Sequence, residues 1–475
     1  FPSRTPPRPR ERASMIIDPG SFRDPRGRVF THEGRVFRAL SSEGWAAWRQ
    51  FQGSALFDRL SQSGRVIETR EAAGIPLPPG EWAGVLEHAP VPCLSYPYEW
   101  PFGALRDAAL FFLELLSETL REGFGLRDAT PYNIQFRGIR PVHIDLPSFE
   151  RRGPDGGWNG YGDFCRSFLY PLLLEAHKGI PFQRWVRGTL EGFSPLEMAR
   201  LFGWRDWAKA GVFKDVVLQA ALGPWGERLD PRAFQNDLRR ALPLASVLKN
   251  IDRLQKIVAG LRSGAPAGPW RNYRRTHPYS EADRRERTRF VDNALSPRRR
   301  CVWDLGSNDG EFAIRAARSA GNVLALDADS TAVEDLRRRL AREGVGNVLP
   351  LVVDLADPSP AQGWRGRERR RLEDRSSPDL VLCLALTHHL VISRNIPLRE
   401  WVEWLGSLRA PLVVEFATRE DARVRELLAQ KPGDDRPDYD LPNFRNCLGE
   451  YFEVRAEQTL GSGTRALFFA EPRAR

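Results

Sequence analysis

Asp304, Gly306, Asn308, Gly310 and Asp327 are the residues of this chain whose types and spacing point most directly to chemistry. Residues 301–312 read Cys-Val-Trp-Asp-Leu-Gly-Ser-Asn-Asp-Gly-Glu-Phe. The pattern predicts a short apolar strand ending in Asp304, a tight turn, and a helix from Glu311. Glycine at such a turn lets main chain approach a ligand with no Cβ in the way. The new helix presents unpaired N–H groups at the same place. A second apolar strand, 323–327, ends in Asp327, where a carboxylate can accept hydrogen bonds from both hydroxyls of a ribose. The pair of strands forms a cradle for a nucleotide-like ligand. A dinucleotide site would carry Gly-x-Gly-x-x-Gly, whereas Asn308 stands at the middle position here. The Lys and Ser of a phosphate-binding P-loop are absent, which excludes that class.

The elements that position these residues follow in a regular order. Val353-Asp354-Leu355, Asp379-Leu-Val-Leu-Cys-Leu-Ala385 and Leu412-Val-Val-Glu415 each read as a strand or strand end. Asp-Leu-Gly-Ser-Asn-Asp-Gly over 304–310 resembles the first motif of class I S-adenosylmethionine-dependent methyltransferases, and the later strands match that family in sequence. The resemblance implies an α/β fold, a Rossmann-like and mostly parallel seven-stranded sheet, over residues 299–475. It implies S-adenosyl-L-methionine as cofactor and S-adenosyl-L-homocysteine as product. Cofactor contacts are then expected from Asp304, Gly306, Ser307, Asn308, Gly310, Asp327, Ala328, Asp354, Leu355 and Ala385. Asp327 would hold the ribose and Asp354 the adenine amino group. Tyr279, in a charged lead-in over 273–295, would close over the sulfonium.

Methyl transfer from a sulfonium is an in-line displacement, so the protein must align the acceptor and remove its proton. The loop after the fourth strand reads Ala385-Leu-Thr-His-His-Leu390. Histidine titrates near neutrality and can serve as the base. On an extended loop His388 and His389 point in different directions, so one would face the substrate; the residues alone do not choose. Both could instead brace the loop. Two histidines with Glu415 could also hold a metal, but no metal is expected.

The first half carries its own pattern. Leu126-Arg-Asp-Ala-Thr-Pro-Tyr-Asn-Ile-Gln-Phe136 precedes Pro141-Val-His-Ile-Asp145. Asp, four residues, Asn, and a strand ending in Asp resembles the catalytic loop and metal position of protein-kinase-like folds. That places Asp128, Asn133 and Asp145 at those positions, in an α+β degenerate kinase-like domain. No lysine occurs before Lys178, and Arg38 is the nearest substitute for the phosphate-pairing lysine. An Arg fork does not equal a Lys point charge. Mg²⁺ and ATP are therefore not expected there, and the domain is expected to bind substrate or a partner. Taken together, the chain resembles bacterial two-domain methyltransferases of a nodulation-protein-like kind.

At 475 residues two domains are expected. Residues 1–14 read as a disordered segment or a remnant of cloning or of an upstream start. Residues 15–243 form the kinase-like domain, 244–298 a helical linker and lead-in, and 299–475 the methyltransferase domain. Within these, 28–40 predicts a hairpin turning at Glu33-Gly34, and 105–120 a helix with its apolar residues on or near one side. Ser263–Pro269 reads as a linker. Arg365–Arg371 is a basic run after Gly363-Trp364; Trp364, Arg365 and Arg367 could recognise an anion. Net charge is +10 with only 6 lysines, so the basic balance is weak evidence for nucleic acid. Five scattered cysteines give neither a disulfide framework nor a zinc site. No apolar run reaches membrane-spanning length. The expectation is a cytoplasmic methyltransferase acting on an O or N atom of a small metabolite, glycan or natural product. An RNA methyltransferase and a bifunctional phosphotransferase–methyltransferase are the alternatives; oligomeric state is left open.

Overall fold

The computed structural model describes residues 15–152, 158–222, 243–266, 268, 279–431, 433 and 436–474. The segment 1–14 and the opening of the lead-in, 273–278, lie outside the described residues. Five strands open the first half: β1 (Ile16–Ile17), β2 (Gly27–His32), β3 (Arg35–Leu40), β4 (Thr69–Ala72) and β5 (Gly84–His88). They make an antiparallel sheet ordered β1-β2-β3-β5-β4. The expected hairpin lies at its centre. Glu33 and Gly34 both take positive φ, 51° and 74°, which matches the twist of the strands they join.

Behind this sheet the helix Phe102–Arg121 is the spine of the first half, with Leu105, Ala108, Leu113 and Leu116 fully buried. The helix Leu244–Gly260 packs along it and buries Val247, Ile251, Leu254 and Val258. An apolar stripe at helical spacing needs a partner face, and the first half supplies it. The expected linker is tied down as well: Ser263 Oγ donates to Glu175 Oε1 at 2.6 Å. Two ribbons, β6 (Phe124–Leu126) with β9 (Phe149–Arg151) and β7 (Ile134–Arg137) with β8 (Arg140–His143), frame the 126–145 loop.

The second half is a seven-stranded sheet: β10 (Arg299–Leu305), β11 (Ala320–Asp327), β12 (Val348–Val352), β13 (Leu380–Cys383), β14 (Leu412–Ala417), β15 (Phe452–Thr459) and β16 (Arg465–Pro472). Its order is β12-β11-β10-β13-β14-β16-β15. The first five strands are parallel, and β16 runs antiparallel between β14 and β15. β13 and β14 are buried throughout, as strands covered on both faces must be. β15 is an edge strand with Glu453, Arg455 and Glu457 exposed, which blunts pairing with other chains. The strand order reverses between β10 and β13, and that switch point opens a crevice at the carboxyl ends of the strands.

The halves are joined by buried charge. Arg375 takes both carboxylate oxygens of Glu99, and neither side chain is exposed. Arg337 pairs with Asp107 at 2.7 Å, and Glu334 accepts from the Gly103 N–H at 2.9 Å. No helix among the described residues is long and apolar enough to cross a membrane.

Candidate active site

The turn after β10 is built by three residues in the left-handed region: Gly306 (φ 72°), Asn308 (φ 46°) and Gly310 (φ 76°). A Cβ on Gly310 would lie 2.2 Å from Leu336 Cδ1, so no side chain fits there. Asn is the L-residue that tolerates this region best after glycine, which is how Asn308 holds the middle position. Its N–H donates to Asp327 Oδ2 at 2.8 Å, and the Asp329 N–H donates to Asp327 Oδ1 at 2.9 Å. The end of β11 is thus locked to the turn after β10.

Asp304 is 3% exposed, and its Oδ2 has no hydrogen-bond partner among the described residues. Burial pushes its carboxyl up to about 7 against the opposing charge of Arg287. Burial likewise raises Asp327 to about 6, with the N–H groups of Asp329 and Asn308 holding it back. Ser307 Oγ is also shielded and without a partner among the described residues. A cleft of about 400 Å³ opens here. Buried carboxylates short of partners are expensive unless a cation or donors reach them. A ligand carrying an ammonium, a sulfonium and ribose hydroxyls fits this set of groups.

Of the residues expected around the cofactor, Tyr279, Asp304, Gly306, Ser307, Asn308, Asp327, Ala328, Asp354, Leu355 and Ala385 line the cleft. Gly310 lies behind the turn and shapes it. Asp354 follows β12, takes the Ala356 N–H at 3.0 Å, and is paired with Arg394. Arg394 was not legible from sequence, since nothing local marks an arginine 40 residues away as its partner. A second buried set closes the other side. Tyr279 Oη donates to Glu415 Oε1 at 2.5 Å, and Arg287 Nε donates to Oε2 at 2.9 Å. Arg465, 2% exposed, bridges Glu415 and Asp421 at 3.0 and 2.7 Å. Burial alone would raise Glu415, but Arg287 and Arg465 hold it below the usual range. Glu415 is therefore committed to a tyrosine and two arginines. Among the described residues no group of three or more His, Cys, Asp or Glu is placed to hold a metal ion.

The segment after β13 is not the extended loop expected. Ala385 sits at φ 55°, and His389–Ser393 forms one π-helical turn. The two histidine rings lie against each other, with centroids 4.2 Å apart and planes tilted by 42°. His389 lines the cleft. His388 is fully buried outside the lining, with both ring nitrogens unpartnered among the described residues. Burial holds His388 far below its ordinary pKa and, with Arg423 and Arg465, lowers His389 to about 4.

In the first half, Arg38 is ion-paired with Asp145. Burial would raise Asp145, but the Arg38 charge outweighs it and holds the carboxyl low. Asn133 lies close by: its carbonyl accepts from the Ile144 N–H at 2.9 Å. Asp128 pairs with Arg127 at 3.2 Å and is half exposed. These four residues stand apart from the cleft over β10. Two arginines of the basic run reach the first half: Arg370 pairs with Asp18 and Arg369 covers the Tyr132 ring, while Arg371 pairs with Asp374 at 2.9 Å. Arg365 and Arg367 remain exposed.

The observed sheet, mostly parallel with seven strands and a cleft at its switch point, is the Rossmann-like arrangement of class I methyltransferases. No protein-family model matches the chain. It is 33% identical over 457 residues to nodulation protein NoeA of Rhizobium meliloti (strain 1021), covering 95% of each chain. The chain belongs to the NoeA family of nodulation proteins. An 83-residue stretch is 36% identical to the 23S rRNA (uracil(1939)-C(5))-methyltransferase RlmD of Methylococcus capsulatus, covering 17% of this chain and 19% of that one. The solved N-methyltransferase NodS from Bradyrhizobium japonicum WM9 covers 41% of this chain and 99% of its own, at 14% identity and TM-score 0.31.

Proposed function

We propose that the chain is an S-adenosylmethionine-dependent methyltransferase acting on an O or N atom of a small metabolite, glycan or natural product. One observation carries the reading: Asp304, buried with an unpartnered carboxylate oxygen, shares a cleft with Asp327 and the Gly306 turn. The donor supplies a methyl already activated by positive sulfur. Asp304 offers the negative charge that a cationic amino acid moiety needs. Asp327 is placed at the strand end for ribose, and Asp354 for an amino-bearing base. Tyr279 and Arg287, held by Glu415, wall the cleft and keep water from the reacting face. His389 faces the cleft and stays neutral at physiological pH, so it can accept a proton. Its depressed pKa makes it a weak base, which suits a hydroxyl acceptor, whose O–H turns strongly acidic as the new bond forms, better than an amine.

Calorimetric titration of the ligand-free chain with S-adenosylhomocysteine tests this. Saturable 1:1 uptake, weakened at least tenfold in Asp327→Ala, is expected; no uptake by the wild type would end the reading. The similarity to an rRNA methyltransferase makes RNA the second reading. It requires binding that falls steeply with salt, in proportion to the phosphates neutralised. For the first half we favour a degenerate kinase-like module without phosphoryl transfer, since Arg38 neutralises the carboxylate a metal would need.

A further inference from the structure

A second, larger cleft of about 1170 Å³ lies between the 126–133 loop of the first half and the 363–369 insertion of the second. Most of its charges cancel internally. Arg23 pairs with Glu368 at 2.7 Å, Arg26 with Glu43, and Arg127 with Asp24 and Asp128 at 3.7 and 3.2 Å. Glu191 also lines the cleft, as does the exposed Arg365. Arg365 makes no ion pair among the described residues; Arg369 makes none either, but its Nη1 donates to the Glu368 carbonyl at 3.0 Å and its guanidinium covers the Tyr132 ring, which leaves Nη2 for a ligand. Asn133 also lines the cleft, and its amide nitrogen has no acceptor among the described residues.

The insertion is anchored in a way that displays an aromatic ring. Glu368 accepts the Trp364 N–H at 2.8 Å while it holds Arg23. A Cβ on Gly363 (φ 79°) would strike the Glu368 side chain at 2.5 Å, so the turn depends on glycine. The main chain is fixed, yet the Trp364 indole is 63% exposed at the cleft. A fixed, exposed indole beside an arginine without an ion pair offers a ligand both a stacking face and a planar fork of donors.

We propose that this cleft binds a hydroxylated ring carrying an anionic group: a sugar bearing a phosphate ester or a carboxylate. The Trp364 face stacks on the C–H face of the ring. The Arg365 fork and Arg369 Nη2 take the anion. Asp128 and Asn133, on the opposite wall, bond the hydroxyls. The site draws on both halves of the chain, and it uses no residue of the cleft over β10. It therefore stands or falls separately from the donor reading.

Calorimetric titration of the full chain with glucose 6-phosphate, ribose 5-phosphate and glucuronate tests it, with glucose and inorganic phosphate as separate arms. At least one of the three is expected to bind 1:1 and tenfold or more tighter than glucose or phosphate. Arg365→Ala/Arg369→Ala should lose tenfold or more, and Trp364→Ala should lose affinity for the sugar acid but little for phosphate. Uptake of S-adenosylhomocysteine, or failing that an unchanged unfolding midpoint, shows that these variants remain folded. The proposal is overturned if none of the three binds, if phosphate alone binds as tightly, or if the Arg and Trp variants bind like the wild type.

Discussion

Asp304 ties the stability of the ligand-free chain to pH. Its carboxyl sits near 7 in the folded, ligand-free protein, above the unfolded value of about 3.9. The folded state then holds a proton that the unfolded state releases. The stabilisation is complete below about pH 4 and is lost as pH rises towards 7. Asp304→Asn removes that loss, so the ligand-free variant should be more stable at pH 8 by about 1–3 kcal/mol in urea unfolding. Its affinity for S-adenosylmethionine should fall at least tenfold. A cationic ligand selects the ionised carboxylate, so wild-type affinity should drop as pH falls below 7, with proton release seen by calorimetry in buffers of different ionisation heat. His389 carries the opposite sign. Its pKa near 4 lies below the unfolded value of about 6.5, so its contribution to stability is full above 6.5 and is lost as pH falls towards 4. His389→Ala should lower kcat by about 10²–10⁴ if it takes the proton, with no inflection near pH 6.5 in the wild-type profile. An unchanged kcat in His389→Ala at saturating donor would exclude it as the base.

Among the elements, the insertion between β12 and β13 departs most from a sequence reading. A basic run after Gly-Trp reads as a solvated loop, yet Arg370 and Arg375 reach into the first half. The Glu99–Arg375 pair is fully buried and two-pronged. Removing one partner leaves an uncompensated charge in the interior, which costs about 3–5 kcal/mol. Glu99→Gln should show this in denaturant unfolding, and Glu99→Met/Arg375→Met should recover most of it. Equal losses in the single and double variants would contradict that account. The strands over 299–417 were legible because apolar runs ending in Asp304, Asp327 and near Asp354 are local signals. The π-helical turn at His389 was not, because its register depends on packing against neighbours rather than on local propensity.

At the scale of the whole molecule, the chain reads as two patterns but is held as one body. Arg337–Asp107, Glu334–Gly103 and Glu99–Arg375 all cross the junction, and the helix Leu244–Gly260 packs back on the first half. Unfolding should therefore be a single calorimetric transition, with S-adenosylhomocysteine raising its midpoint as a whole. Two separate transitions, only one of them shifted by ligand, would show that the halves are energetically independent.

Sequence alone determined the parallel β/α layer, the glycine turn, the acids at the strand ends and the hairpin at Glu33-Gly34. Each is a local pattern, set by strand alternation, backbone φ or a fixed spacing, and none needs a distant partner to be read. Which histidine faces the cleft, that Glu415 serves arginines rather than a metal, that Arg38 neutralises Asp145, and that a second cleft opens behind Trp364 were decided only by tertiary structure. Those outcomes rest on burial and on charges tens to hundreds of residues apart, and only the folded chain brings them within bonding distance.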